Sequence, residues 1–338
     1  MTSPRQPDPP RGVAAVTGAS GFVGRNLVSL LCDQGWQVRA VARRPSRDLT
    51  TGRVEFRGVD DIRDQPLLED AFEGVDVVFH LAARISLFTE DRSVWDVNVN
   101  GPRAVGRAAL AQGVRRLVHC SSVHAFDVQV ARGPVDETCP RSISPTRPIY
   151  DRSKAAGEAA LRTVIDEGLD AVIINPTGII GPVDAGPSRI NRLLRLASRG
   201  RLPAVLAGGF DWVDVRDVAL GLTAALDRGR TGENYLISGH RRSSLELSRM
   251  AARAGGHRGP RVAIPLGLLD PLAPLGNRIG RRLGTDIVTP ASLGALRDYP
   301  AIDGTKAATE LGYAPRSIER TVAELVESFS TSTHRVPL

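Results

Sequence analysis

The stretch "VAAVTGASGFVGRNLVSLL", Val13 to Leu31, limits the possible folds more than any other part of this chain. An apolar run fit for a buried strand meets three glycines, Gly18, Gly21 and Gly24, and then an amphipathic pattern that predicts a helix over about Gly21 to Gln34. Glycine suits all three places in T-G-x-x-G-x-x-G: a tight turn, a backbone that approaches a diphosphate, and a helix pressed against its strand. The helix N-terminus adds amides and a positive dipole end for phosphate. The segment is therefore a candidate dinucleotide cradle, with Gly18, Ser20, Gly21, Phe22, Val23 and Gly24 as its residues.

The pattern continues as "WQVRAVA", a helix near Gln65 to Phe72, "VDVVFHLAA", a helix near Val97 to Ala111, "RRLVHCSS", a helix from Tyr150 to about Glu167, and "DAVIINPTG". Apolar runs alternating with helices predict an α/β fold, a Rossmann-type doubly wound parallel sheet. The 338 residues, 42% of them hydrophobic, suffice for one large domain or two joined ones. A Pro-rich polar lead-in covers 1–11, and the dinucleotide-binding unit is expected over 12–180. Pro and Gly are scattered through 181–210 and 255–304, so 181–330 is expected to be a smaller, less regular substrate-binding part. Some of its segments should return to the sheet, and 331–338 should form a tail.

Composition excludes several other classes. The net charge of +7 is spread as arginines among 37 acidic residues, with Lys154 and Lys306 the only lysines, so no clustered stripe for nucleic acid exists. Cys32, Cys120 and Cys139 are odd in number and lack metal-ligand spacing, which argues against a disulfide framework or a metal site and for a reducing cytoplasm. No apolar run reaches the roughly 18 residues of a membrane span. The nearest, "VAIPLGLLDPLAPLG" from Val262 to Gly276, is broken by Asp270 and three prolines.

The second strand bears on which dinucleotide binds. A free ribose 2′-hydroxyl calls for Asp or Glu at its end, a 2′-phosphate for arginine. Here "QVRAVA" ends in Arg43 and Arg44, with no acid until Asp48. The guanidinium fork suits phosphate oxygens, which predicts NADP(H) in preference to NAD(H), with NAD(H) still possible.

In "YDRSK", Tyr150 and Lys154 are spaced to share one helix face. An ammonium beside a phenol should lower the phenol's pKa towards neutrality, making Tyr150 a usable proton donor or acceptor. "RRLVHCSS" places Ser121 and Ser122 at the end of a buried strand, where a ligand explains hydroxyls better than packing does. Taken alone, the Tyr–Lys pair reads more plainly as a packed ring and a solvated lysine; together with the glycine fingerprint it reads as catalytic. His80 and His119 read as satisfied core histidines and Cys120 as a buried filler, while His124 could reach the pocket. Trp212 and Asp214 either rim the substrate site or, in "DVRDVA", mark a helix start.

Through "TGASGFVG", "FHLAA", "NVNGPRAV", "LVHCSS", "YDRSK", "NPTGIIGP" and "GGFDWVDVRDVA", the chain resembles the extended short-chain dehydrogenase/reductases, the NAD-dependent epimerase/dehydratase group, over nearly its whole length. Within the group it looks like the branch related to dihydroflavonol 4-reductase, which borders on 3-beta-hydroxysteroid dehydrogenases and some sugar epimerases. The resemblance implies Tyr150 as general acid in reduction, Lys154 bonding the nicotinamide ribose, and Ser122 polarising the carbonyl. It also implies Asp61 and Ile62 at the adenine, Leu81, Ala82 and Ala83 along the cofactor, Asn98 and Pro176 near it, and Arg43 at a 2′-phosphate. Many sugar-nucleotide epimerases carry an arginine before the proline after the sixth strand, where this chain has Asn175 before Pro176; that departure favours the reductase side.

The implied activity is NADP(H)-dependent hydride transfer to or from a carbonyl or secondary alcohol of a small organic substrate. The alternatives are a sugar epimerase or dehydratase that recycles its cofactor and a 3-beta-hydroxysteroid-type dehydrogenase. A non-enzymatic redox sensor is opposed by the Tyr–Lys pair. By the same analogy, a homodimer would form through the helices near Asn98 and Tyr150.

Overall fold

The structure, a computed structural model, describes residues 11–45, 49, 52–86, 90–184, 188–268, 294, 296, 297 and 300–331. Asp48, most of the lead-in and tail, and the apolar run beyond Leu268 lie outside the described residues.

Seven strands form one parallel sheet: β1 (Val13–Thr17), β2 (Gln37–Ala42), β3 (Val54–Gly58), β4 (Val77–His80), β5 (Arg116–Cys120), β6 (Ala171–Pro176) and β10 (Asn234–Ile237), in the order β10-β6-β5-β4-β1-β2-β3. Successive residues of a strand serve opposite faces. Ala14, Val16, Val77 and Phe79 pack with Leu27 and Leu31 of α1 (Phe22–Asp33). Ala15 and Val78 pack on the other side with Phe72 of α2 (Gln65–Phe72), Val105 of α3 (Arg92–Ala111) and Leu161 of α4 (Ile149–Asp166). Burial on both faces explains why these strands read as unbroken apolar runs. The third helix starts earlier than expected because the Asp91 side chain accepts the Ser93 amide and fixes the helix start there.

Of the stretches after Gly181 expected to be irregular, 185–187 and most of 269–299 lie outside the described residues. Leaving the end of β6, the chain forms β7 (Gly178–Ile180), α5 (Arg189–Ser198), β8 (Ala204–Leu206) and β9 (Gly209–Asp214). It then returns to the sheet: α6 (Val215–Arg228) packs Val218 and Leu222 into the same core as α1, and β10 pairs in parallel with β6. The remainder comprises β11 (His240–Ser243), α7 (Ser244–Ala254), β12 (Val262–Ile264), α8 (Thr305–Leu311) and α9 (Ile318–Thr331). Strands β11, β9 and β7 make a small sheet at the carboxyl end of β6, and β8 pairs with β12. A third core joins Phe210 and Trp212 of β9 to Leu247 of α7 and Val322 and Leu325 of α9. Among the described residues no helix is long and apolar enough to cross a membrane.

Candidate active site

Strand order reverses between β1 and β4, and at such a switch point an open α/β sheet leaves a crevice outside its carboxyl ends. A cleft of about 320 Å³ occupies this place. Gly18, Ser20 and Gly21 line it from the β1–α1 turn, Arg43 from the end of β2, Asp61 and Ile62 from beyond β3, and Leu81, Ala82 and Ala83 from beyond β4. All nine were sequence candidates. Val41, Ala42, Val59, Asp60, Arg84 and Val97 also line it and were not foreseen; each lies within a few residues of one that was. Phe22, Val23, Gly24, Asn98, Tyr150, Lys154 and Pro176 are not among its lining residues.

The residues present fit a dinucleotide. Gly18 has φ +70, and a Cβ there would sit 2.8 Å from the Ala82 nitrogen. A Cβ on Gly24 would overlap the Gly18 carbonyl oxygen, so turn and helix are pressed together as the motif requires. α1 starts with no side chain capping it, leaving its first amides for an anion. Arg43 is exposed at the end of β2, and among the described residues no ion pair engages it. Asp61 is held below the usual carboxylate range by hydrogen bonding to Arg63, whose Nη2 lies 2.6 Å away.

Thr17 and Asn98 shape the wall. Thr17 Oγ1 accepts the Leu81 and Ala82 amides at 3.2 and 3.3 Å and lies 2.7 Å from His80 Nδ1. With its lone pairs used by the amides, the threonine proton goes to Nδ1, so His80 carries its own proton on Nε2. Asn98 accepts the Arg84 amide at 2.8 Å and donates to the Arg84 carbonyl at 2.9 Å and to Ser153 Oγ at 3.0 Å. It therefore fastens the cleft wall to α4, one residue before Lys154.

Ser122, Tyr150 and Lys154 come together, all buried, at the carboxyl end of β5 and the start of α4. Ser122 caps a short 3₁₀ turn, Val123–Ala125, its Oγ accepting the His124 amide at 3.3 Å. Lys154 Nζ donates to the Cys120 carbonyl at 3.4 Å. The expectation that Lys154 would lower the Tyr150 pKa does not hold in this geometry. Burial pushes the phenol well up, a hydrogen bond with Ser122 pulls it down, and the Asp151 and Cys120 charges raise it further. Burial also lowers the Lys154 pKa, opposed by Cys120 and Glu158. Buriedness is what the spacing argument could not supply.

His124 stands beside this group: its Nδ1 lies 3.1 Å from Asp151 Oδ1 and its ring meets Tyr150 edge-on, centroids 5.6 Å apart. Burial, the largest influence, lowers its pKa, but the charge and hydrogen bond of Asp151 together carry it above the ordinary value against Lys154. His80 and His119 are core residues, stacked 5.0 Å apart, yet among the described residues His80 Nε2 and His119 Nδ1 have no hydrogen-bond partner. Trp212 and Asp214 both have structural partners. Trp212 is buried against Phe210 and donates to the Arg242 carbonyl, while Asp214 caps α6 and pairs with Arg216. Cys120 is buried, all three cysteines are free, and no metal-binding cluster exists among the described residues.

Comparison with known proteins agrees with this geometry. The model of the NAD dependent epimerase/dehydratase family matches residues 14–238. The chain is 36% identical to sterol demethylase protein B of Methylococcus capsulatus, across 93% of this chain and 97% of that one. It is 33% identical to a putative dihydroflavonol 4-reductase of Synechocystis sp., across 93% of each. Among solved structures, that of gox2253 superposes with a TM-score of 0.83 at 32% identity, covering 96% of this chain and all of the other. With the cleft at the switch point and the glycine turn beneath it, these matches lead to one conclusion: the chain belongs to the NAD dependent epimerase/dehydratase family of extended short-chain dehydrogenase/reductases and is an NAD(P)-dependent enzyme of that type.

Proposed function

We propose that this protein is an NADP(H)-preferring oxidoreductase that moves a hydride between nicotinamide and a carbonyl or secondary alcohol carbon of a small organic substrate, in the manner of a dihydroflavonol 4-reductase. The observation that carries the reading is the convergence of Ser122, Tyr150 and Lys154 on one buried spot, tied through Asn98 to the wall of the dinucleotide cleft. When bound, the cofactor supplies or accepts the hydride.

The protein's own residues do the rest. With its pKa raised by burial, Tyr150 stays a phenol through neutral pH and gives its proton to the oxygen of a reduced carbonyl. Ser122, hydrogen bonded to Tyr150, holds that oxygen and stabilises the charge that develops on it. Lys154 supplies positive charge beneath the pair and holds the cofactor ribose. Gly18, Gly21 and the uncapped first turn of α1 (Phe22, Val23, Gly24) take the diphosphate, Asp61 and Ile62 the adenine, and Leu81, Ala82 and Ala83 the flank. Arg43 takes a 2′-phosphate. Asn98 and Pro176 support the site from behind. Residues 181–330 supply most of the substrate wall, and α3 and α4, where Trp95 is partly exposed, are the faces for a homodimer.

The second reading, an epimerase that recycles its cofactor, is favoured by the family match, and the hydroxysteroid-type dehydrogenase by the 27% identity to a 3beta-hydroxysteroid-dehydrogenase/decarboxylase of Arabidopsis thaliana. A panel of carbonyl compounds with NADPH and NADH separates them. The proposal expects net loss of nicotinamide absorbance, faster with NADPH. Tightly held cofactor with no net change on any ketone would support the epimerase instead.

A further inference from the structure

The residue that departs from the epimerase pattern, Asn175, is engaged on every side by protein groups of the core. It is wholly buried, and its amide nitrogen donates to the Ser122 carbonyl at 2.9 Å and to Glu158 Oε1 at 2.7 Å. Glu158 is also buried, with only 2% exposed, one turn beyond Lys154 and two beyond Tyr150 on the same face of α4. Its other oxygen accepts from Asn234 of β10 at 2.9 Å and from Arg141 at 2.8 Å. Asn234 donates as well to Asn175 Oδ1 at 2.7 Å, and Arg141 lies over the Phe126 ring, 4.0 Å from its centroid. One carboxylate thus joins the end of β5, β6, β10 and the catalytic helix.

A buried carboxylate is costly to desolvate, and well-packed apolar residues often stabilise a core as well or better. Stability alone is therefore a poor reason for this arrangement, whereas its geometry matches a need of the site. Ser122 sits on a strand end and Tyr150 on a helix; their separation is set by whatever joins the two elements. The Ser122–Asn175–Glu158 chain is such a link, and it ends one turn from the lysine. We propose that Glu158 and Asn175 are positioning residues for hydride transfer: together they form an internal strut that fixes Ser122 against Tyr150, and Glu158 in addition sets a carboxylate one helical turn from the Lys154 ammonium. The proposal rests on the reading of Ser122, Tyr150 and Lys154 given above.

Around Lys154 the titratable groups are Tyr150 and Glu158 on its own helix, Cys120 and His119 on β5, His80 on β4 and His124 after β5. Glu158 is the carboxylate among the groups that raise the lysine's pKa, and burial works against it.

Because the chain has only Lys154 and Lys306, isotope-labelled lysine gives two side-chain ammonium signals, which a Lys306→Arg variant assigns. In the full chain, Glu158→Gln should move the Lys154 titration midpoint to lower pH and leave that of Lys306 in place. Its kcat for carbonyl reduction should fall about a hundredfold, the scale of a small misplacement in an active site, with the NADPH dissociation constant within about threefold of wild type. Asn175→Ala should lower kcat without changing the carbonyl KM and leave the Lys154 midpoint alone. A Lys154 midpoint unmoved in Glu158→Gln, or wild-type kcat in Asn175→Ala, overturns the proposal. If Glu158→Gln does not fold, Asn175→Ala decides. A Tyr150→Phe variant run alongside separates the two levels: normal turnover there refutes the catalytic reading, whereas the lysine midpoint still judges the electrostatic half of the strut.

Discussion

His80 gives the structure an acid sensitivity whose size can be worked out. Its ring is buried, its Nδ1 is engaged by Thr17, and its pKa is lowered to about 3, first by burial and then by the Lys154 charge. In the unfolded chain a histidine titrates near about 6.5. Between these two values the unfolded state binds the proton and the folded state does not, so stability rises with pH across that window and is lost as pH falls through it. At about pH 5 the difference is roughly 1.5 units on the unfolded side, or about 2 kcal/mol, and at about pH 7.5 it is nearly nothing. The figure requires only that the folded pKa lie about a unit or more below 5. His119, buried and shifted in the same direction, adds to the loss.

The perturbation is His80→Asn, whose Oδ1 can accept the Thr17 proton as Nδ1 does but which does not titrate. Urea unfolding of wild type and variant at about pH 7.5 and about pH 5 gives the double difference, in which any cavity cost of the substitution cancels. The variant should lose about 2 kcal/mol less than wild type on acidification. Equal losses in the two proteins would refute the reasoning, because they would mean that His80 is protonated in the folded state or does not titrate differently on unfolding.

Two further outcomes follow from the site. Arg43→Ala should weaken NADPH by about 10-fold or more while leaving NADH nearly unchanged, since a charge-assisted contact to phosphate is removed and nothing else in the cleft is; equal effects on both cofactors, measured by dissociation constants, would rule out the 2′-phosphate role. Because burial raises the Tyr150 pKa, the acid form needed for reduction persists through neutral pH and the base form needed for oxidation grows only on the alkaline side. The kcat/KM of carbonyl reduction should therefore stay level through neutrality while that of alcohol oxidation climbs with pH, and an oxidation profile already flat at neutral pH would contradict the shift.

The parts of the fold and site that could be read from sequence are those in which the signal is local. The β1–α1 turn carries its glycines within seven residues, and the Tyr–Lys pair lies within about one helical turn, so local spacing marked both, the pair only in combination with the glycine turn. The strands appeared as apolar runs because both faces of the sheet are covered. What escaped depends on contacts between distant segments. A return to the sheet after 180 was expected, but not that β10 makes it beside β6, since a four-residue strand after a long irregular stretch has no periodic signature. The strut is another: Asn175 meets Ser122 across 53 positions and Asn234 meets Glu158 across 76. Only the i, i+4, i+8 series Tyr150, Lys154, Glu158 hinted at it. Trp212 and Asp214 read equally as rim or helix start; Asp214 does cap α6, while the packing of Trp212 against Phe210 is a long-range contact that no local pattern shows. The wrong expectation for the Tyr150 pKa has a similar origin, because a charge four residues away can be read from sequence and burial cannot.

Turnover of Tyr150→Phe, measured beside its affinity for NADPH, tests the account at its centre. The ring and its packing remain and only the hydroxyl that passes the proton is gone. Reduction of a carbonyl substrate should fall by at least about a hundredfold while the cofactor binds as in wild type. Near-normal reduction with that hydroxyl missing would contradict the catalytic assignment and leave only the fold and the dinucleotide cleft.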